Sequence, residues 1–389
     1  MKTTIGVLTA LLSTTLLTSA ALAQQGQLNL VTTIPVPGAP LKSFDISWVD
    51  PINELYFLAD RSNSAVDIFD AANNKFLTRV PGFVGPSTAT STAGPDGVVS
   101  TSHSEIWAGN GDSTIKIIDL TTNAIVDSIS TGGQMRVDEM AFDARDHLLL
   151  AANNADNPPF LTLFDTQKRT IIQSNITISD DTGDATGIEQ PAFSNVTGLF
   201  YASVPSLGPD ATHGAVAVID TKGTVVGTIP VDNCTPAGLS VGPDDNLVVG
   251  CTDPVTVIIS VTDNKEVARI NQVGGADEVW FNPGDRNYYI AARTNPASQG
   301  GPILGAINAE TNTFAGSVAT EAGAHSVAAN PRTNQIFVPI DAGATSLPGC
   351  DNGCIAVYSF KASTGNNNGN GNNGNNNGNN NGNGTGSTM

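Results

Sequence analysis

Basic side chains are scarce: 17 Lys and Arg stand against 36 Asp and Glu, a formal net charge of −19 with a pI near 4.3. A surface so poor in cations cannot follow a phosphate backbone, which excludes nucleic acid as a partner and leaves carboxylates available for cations. Long apolar runs are absent after the N-terminus, so no membrane span is expected. No long stretch repeats with period 3.6, so helices should be minor. There is no Gly-X-Ser-X-Gly elbow, no P-loop and no dinucleotide-binding glycine pattern. The cysteines number only four and do not have zinc-finger spacing.

The two ends have compositions of their own. Lys2, the apolar stretch Ile5–Leu17 and the small residues Ala21-Leu22-Ala23 have the layout of a secretory signal, so residues 1–23 are expected to be removed. From Gly365 onward the chain is almost wholly Asn and Gly, and residues 363–389 are expected to form a solvated tail. Such a tail could hold a secreted, extracellular domain off a cell wall. A lipid anchor would need an apolar segment behind the spacer, and none follows it. A monomer is expected.

Between the ends one short pattern recurs, a few apolar residues entered through a charged one and closed near Pro, Asn or Asp. Phe44-Asp45-Ile46-Ser47-Trp48-Val49-Asp50-Pro51 and Ala276-Asp277-Glu278-Val279-Trp280-Phe281-Asn282-Pro283 are two copies, and Ala324-His325-Ser326-Val327-Ala328-Ala329-Asn330-Pro331 is a third. Aligned copies place Asp45, Asp96, Asp138, Glu189, Ala237, Asp277 and His325 at one position, with intervals of 51, 42, 51, 48, 40 and 48 residues. Spacing of this size, with short Val/Ile/Thr-rich strands between Gly, Asn, Asp and Pro turns, predicts an all-β, seven-bladed β-propeller over residues 24–362. The second blade should comprise Gly97–Ser100, Glu105–Ala108, Thr114–Asp119 and Ala124–Ser130. Residues 27–36 look like an outermost strand with no blade before it, and the C-terminal end supplies three strands without a fourth. The N-terminal strand should therefore complete the last blade and close the ring. The Asp residues that end third strands, Asp70, Asp119, Asp165 and Asp220, should cap the turns that follow.

Four cysteines in an exported chain suggest two disulfides. Cys234 precedes the fifth innermost strand and Cys251 ends the next, while Cys350 and Cys354 flank the turn Asp351-Asn352-Gly353. The register thus favours Cys234–Cys251 and Cys350–Cys354.

The phrase Ala215-Val216-Ala217-Val218-Ile219-Asp220-Thr221, followed by Thr224-Val225-Val226-Gly227-Thr228-Ile229-Pro230-Val231, resembles the YVTN-type seven-bladed propeller repeat. The resemblance covers nearly all of residues 27–361 and implies fold more than activity. It extends distantly to calcium-dependent lactonases of the gluconolactonase type, which place their ligands in the central channel but are usually six-bladed.

In such a ring the innermost strands line a channel, and their first residues meet at one mouth. Asp45, Asp96, Asp138, Glu189, Asp277 and His325 would crowd there, with Ala237 as the neutral gap. So many carboxylates repel one another unless protonated, hydrated or bound to a cation. These residues are the candidate ligands of a divalent cation, with calcium ahead of magnesium and with manganese or zinc brought in by His325. The alternative is a water-filled channel in which each acid caps strand-entrance N–H groups. Glu139, Gln190 and Glu278 follow ring residues, and either member of each pair could face the channel. Glu139, Glu278 and His325 are the candidate proton-moving groups. Loops on the same side offer Arg61, Asn63, Asn110, Asn154 and Arg293 to a small polar molecule or carbohydrate. The arginines Arg61, Arg136 and Arg293 would either hold a substrate carboxylate or pair with the ring, and pairing is the commoner fate of such groups. Ser179-Asp180-Asp181-Thr182-Gly183-Asp184 is a weaker calcium-loop candidate. Four histidines match the number used by iron-dependent carotenoid-cleaving propellers, but His103 and His147 fall on the opposite face from His325, which rejects that site. Trp48, Trp107 and Trp280 read as packing between blades. The leading functional expectation is a metal-dependent hydrolase of lactonase type. A non-catalytic extracellular binding module with a structural cation, and a metal-dependent lyase on acidic sugars, are the alternatives.

Overall fold

The computed structural model describes residues 26–102, 104–294, 301–344 and 346–363. The expected signal peptide, the Asn/Gly tail and His103 lie outside the described residues. Seven four-stranded antiparallel sheets form a seven-bladed β-propeller. Blade 1 runs Ser47–Asp50, Leu55–Asp60, Ala65–Asp70 and Lys75–Pro81 from the channel outward. Blade 2 runs Val98–Ser100, Glu105–Gly109, Thr114–Asp119 and Ala124–Ser130, within a residue of the sequence expectation at each end. The innermost strands of blades 3 to 7 are Met140–Asp143, Pro191–Ser194, Pro236–Val241, Ala276–Asn282 and Ala328–Asn330. The ring closes as expected. Gln27–Pro35 pairs antiparallel with Cys354–Lys361 and becomes the outermost strand of blade 7, so the first and last blades leave no open seam.

The local causes are short-range. Asp70, Asp119, Asp165 and Asp220 accept from backbone N–H groups two to four residues on, for example Asn73 N at 2.8 Å and Thr121 N at 2.7 Å. Each third strand thus ends in an Asx turn that aims the chain into the outermost strand. Apolar side chains from facing sheets fill the spaces between blades, as where Trp107 of blade 2, fully buried, meets Phe164 of blade 3 with ring centroids 5.9 Å apart. Both expected disulfides are present, Cys234–Cys251 and Cys350–Cys354, each with Cα atoms 4.9 Å apart. The first ties the entrance of blade 5's innermost strand to the end of its second strand.

Candidate functional site at the channel mouth

The recurring position occupies an equivalent backbone site in successive blades. The N–H groups of Asp45, Asp96, Asp138 and Glu189 donate to Ala59, Gly109, Ala152 and Ser203, one carbonyl near the end of each second strand. The ring side chains Asp45, Glu189, Asp277 and His325 line a cavity of about 410 Å3. Asp45, Asp96 and Asp138 are buried. Each can offer one oxygen, and these lie within 4.8 Å of one another, so the three could hold a metal ion. Asp96 Oδ2 is buried without a hydrogen-bond partner, which leaves an acceptor open in that cluster. Three hard carboxylate oxygens suit calcium or magnesium by donor type.

The same carboxylates already face cations from the protein. Arg61, 4% exposed, places Nη2 2.5 Å from both Asp45 Oδ2 and Asp96 Oδ1, and its Nε is 3.0 Å from the latter. Arg136 Nη2 lies 2.6 Å from Asp138 Oδ2, and its Nη1 is 3.7 Å from Asp45. Arg293 Nη1 lies 2.8 Å from Asp277 Oδ2 with 43% of its side chain exposed. All three arginines therefore pair with the ring. Asn154 donates Nδ2 to Asp138 Oδ2 and, at 3.5 Å, to Glu189 Oε2, while its Oδ1 accepts from Arg136 Nε at 3.2 Å.

A register rule explains who reaches the mouth. Cross-strand pairing makes Arg61, Asn154, Arg293 and Asp341 equivalent, the position two residues past the carbonyl that pairs with each ring residue or its counterpart. Those side chains point inward. Asp60, Asn110 and Asn153 precede that position, so alternation turns them away. Asn110, fully buried, accepts from Val84 N and donates to Asp112 Oδ1 at 2.8 Å. Asn63 braces the loop by accepting from Ala39 N and donating to Asp60. Neither Asn63 nor Asn110 lines the mouth cavity. Asp341 does, and sequence reading passed over it; counting from the second strand's end in blade 7 would have found it.

His325 has Nδ1 2.5 Å from the Gly323 carbonyl, which fixes that nitrogen as the donor and leaves Nε2 facing the mouth, 3.6 Å from Asp45 Oδ1. Phe44 stacks on its ring at 4.6 Å. Burial works against a charged imidazole here, but Asp45, Asp277 and the Gly323 carbonyl outweigh it and raise the pKa. Burial likewise pushes Asp45 up, yet Arg61, His325 and Arg136 prevail and hold it well below the usual carboxylate range. One guanidinium shared between two buried carboxylates cannot serve both fully: burial and the Asp45 charge leave Asp96 raised. Burial and Asp277 push Glu189 up to about 7.

The second residues of the ring pairs point neither to the mouth nor to solvent but toward the next blade. Gln190 Oε1 accepts from Leu239 N at 2.7 Å and, across Gly238, from Val279 N at 3.4 Å. A Cβ on Gly238 would meet the Asp277 carbonyl at 2.4 Å, so only glycine lets that reach occur. Glu278 Oε2 accepts from Val327 N at 2.9 Å and from Ser326 Oγ, which in turn accepts from Ser47 N at 2.9 Å. In each case the donor is the N–H two residues past a ring position. For Glu139 that residue is Pro191, which has no N–H. Glu139 Oε2 is accordingly buried and unpartnered, and so is Glu278 Oε1. Burial raises both carboxyls well above the ordinary range, and nearby carboxylates push the same way.

The remaining candidates lie elsewhere. Ser179–Asp180 and Gly183–Asp184 form a small hairpin in which Asp180 Oδ1 accepts from Thr182 N and Gly183 N. His213 starts the third strand of blade 4, between Asp232 at 2.7 Å and Asp180 at 3.3 Å. No protein-family model matches the chain, and no curated protein matches it in sequence.

Proposed function

We propose that the channel mouth is the site of a divalent-cation-dependent hydrolase of lactonase type, acting on a small polar ester outside the cell. The buried cluster of Asp45, Asp96 and Asp138, with its open acceptor on Asp96, carries this reading. A cation bound there would supply Lewis acidity toward a carbonyl oxygen. Arg61, buried between two of the carboxylates, positions them and does not meet the ligand. Arg293, half in solvent, and Arg136 orient an anionic or strongly polar group of the substrate. His325, with Nδ1 held by the Gly323 carbonyl, exchanges a proton at Nε2 beside Asp45. Glu139 and Glu278, buried and raised in pKa, form a low-dielectric layer beneath the site.

The signal-like leader and the two disulfides support export, and among the described residues no helix is long and apolar enough to cross a membrane. One observation favours a second reading, a non-catalytic binding module. Three arginines already compensate the ring, so the mouth is stable to charge repulsion without an ion.

Calcium titration of chelator-treated protein by calorimetry, followed by assay on small lactones, tests both. Stoichiometric uptake that Asp96→Asn weakens at least tenfold, together with turnover lost on chelation, is the expected result. Uptake that only raises the melting temperature supports the binding module. No uptake of calcium, magnesium, manganese or zinc rejects the cation in either role.

A further inference from the structure

One to four residues past the acidic ring, the innermost strands line a second cavity of about 230 Å3. Five blades contribute to it, and its walls are aromatic: Trp48 from blade 1, Phe142 from blade 3, Phe193 from blade 4, and Trp280 and Phe281 from blade 6. Trp48 and Trp280 meet edge to face with centroids 4.9 Å apart and remain partly exposed, unlike the fully buried Trp107. We propose that this cavity binds an uncharged, single-ring aromatic compound bearing a hydrogen-bond acceptor. The proposal concerns the aromatic stretch of the channel and does not rest on the chemistry of the mouth.

Size sets the first bound. An apolar cavity of roughly 150 Å3 accommodates benzene, so this one admits one ring with a small substituent and excludes fused polycycles. Shape sets the second. Ring faces and edges presented from several directions favour a flat π-system over a saturated ring of equal area. Charge sets the third. No carboxylate or guanidinium lines the cavity, so nothing there offsets the desolvation of an ion. The polar side chains supply the fourth. Gln190 Oε1 is already engaged by Leu239 N and Val279 N, and Ser240 Oγ already accepts from Phe281 N at 3.1 Å. What these side chains have left is donor capacity, the Gln190 amide N–H2 and the Ser240 O–H. A ligand carbonyl or ether oxygen satisfies them, whereas a second donor does not.

Acetophenone, its saturated counterpart cyclohexyl methyl ketone, and tetramethylammonium are the probes, each titrated by calorimetry against the full chain. Acetophenone is expected to bind at one site, at least fivefold more tightly than the saturated ketone and with no competition from tetramethylammonium. Ala192→Trp, which fills the cavity, should abolish that binding. Ser240→Ala, which also takes the acceptor from Phe281 N–H and so lowers the melting temperature modestly, should weaken it several-fold in a protein still folded at the assay temperature. Asp96→Asn at the mouth should leave it unaltered, which separates this test from that of the proposed function. Absence of saturable binding up to the solubility of acetophenone, equal affinity for the saturated ketone, tighter binding of tetramethylammonium, or full binding by a folded Ala192→Trp protein would each overturn the proposal.

Discussion

The channel has two ends built from the same strands, and they differ completely within four residues. At the mouth Asp45, Asp96 and Asp138 are buried carboxyl groups set against guanidinium partners, while Trp48, Phe142 and Phe281 lie further along those strands or their counterparts. The difference follows from what each depth can recruit. Near the mouth, loops after the second strands swing Arg61, Asn154 and Arg293 over the ring, so buried carboxylates find partners. Deeper, the second strand runs paired behind the innermost one, and Glu278 meets the Val327 N–H and the Ser326 hydroxyl, neither of them a cation. Acids there have their pKa raised by burial, as Glu139 and Glu278 do, or give way to apolar side chains. Charge in this channel is placed by reach.

That contrast can be broken at several points. The largest effect is expected for Arg61→Met, which strands Asp45 and Asp96 without their shared cation; removing one partner of a buried pair costs about 3–5 kcal/mol. Denaturant unfolding measures it, and a loss below 1 kcal/mol would mean the ring is hydrated or held by other charges. Glu278→Leu should cost about 1–3 kcal/mol, because the buried Val327 N–H loses its acceptor. Glu139→Leu should cost nothing measurable or stabilise slightly, since Pro191 offers no N–H to orphan. Equal penalties at the two glutamates would sink the assignment of Pro191 as the cause.

Acidity offers a finer test. The folded pKa values of Glu139 and Glu278 lie above their ordinary value of 4.5, so the native state binds more protons than the unfolded chain between those limits. Their contribution to stability is full below pH 4.5 and declines as pH rises through the folded values, by at most about 1.4 kcal/mol per pH unit for each group. Glu139→Gln should therefore gain on the wild type as pH rises across that window, and parallel stability curves would refute it. Arg293→Ala should also be mild: its half-exposed pair with Asp277 should be worth no more than about 1 kcal/mol and should weaken with salt.

The repeat spacing carried most of the architecture. Seven copies, the N-terminal strand in blade 7, both disulfides and the turn-capping aspartates are all local or periodic properties, and periodicity is visible along a chain. Partnership across blades is not. The ring position was legible, but that Gln190 bridges blades 5 and 6, or that Arg61 lies between two aspartates, depends on how far one sheet is rotated against the next. Asn63 and Asn110 illustrate the error this produces: polar residues in the right loop, one or two positions from the one that alternation turns inward. Trp48 and Trp280 do pack against the cores between blades, as their place on innermost strands suggested, and also line the channel, which the sequence did not show. Pro191 was visible throughout, and its meaning emerged only beside Glu139.

Blade 7 draws three strands from one end of the chain and the fourth from the other. During synthesis Gln27–Pro35 must wait, an unpaired ribbon, while more than 300 residues leave the ribosome before Cys354–Lys361 arrives to receive it. Six blades can gather in sequence, but the clasp is the last and most distant contact to form, which makes it the slow step and the moment of greatest exposure to other nascent chains. A cut within either clasp strand would reopen the circle at that one place.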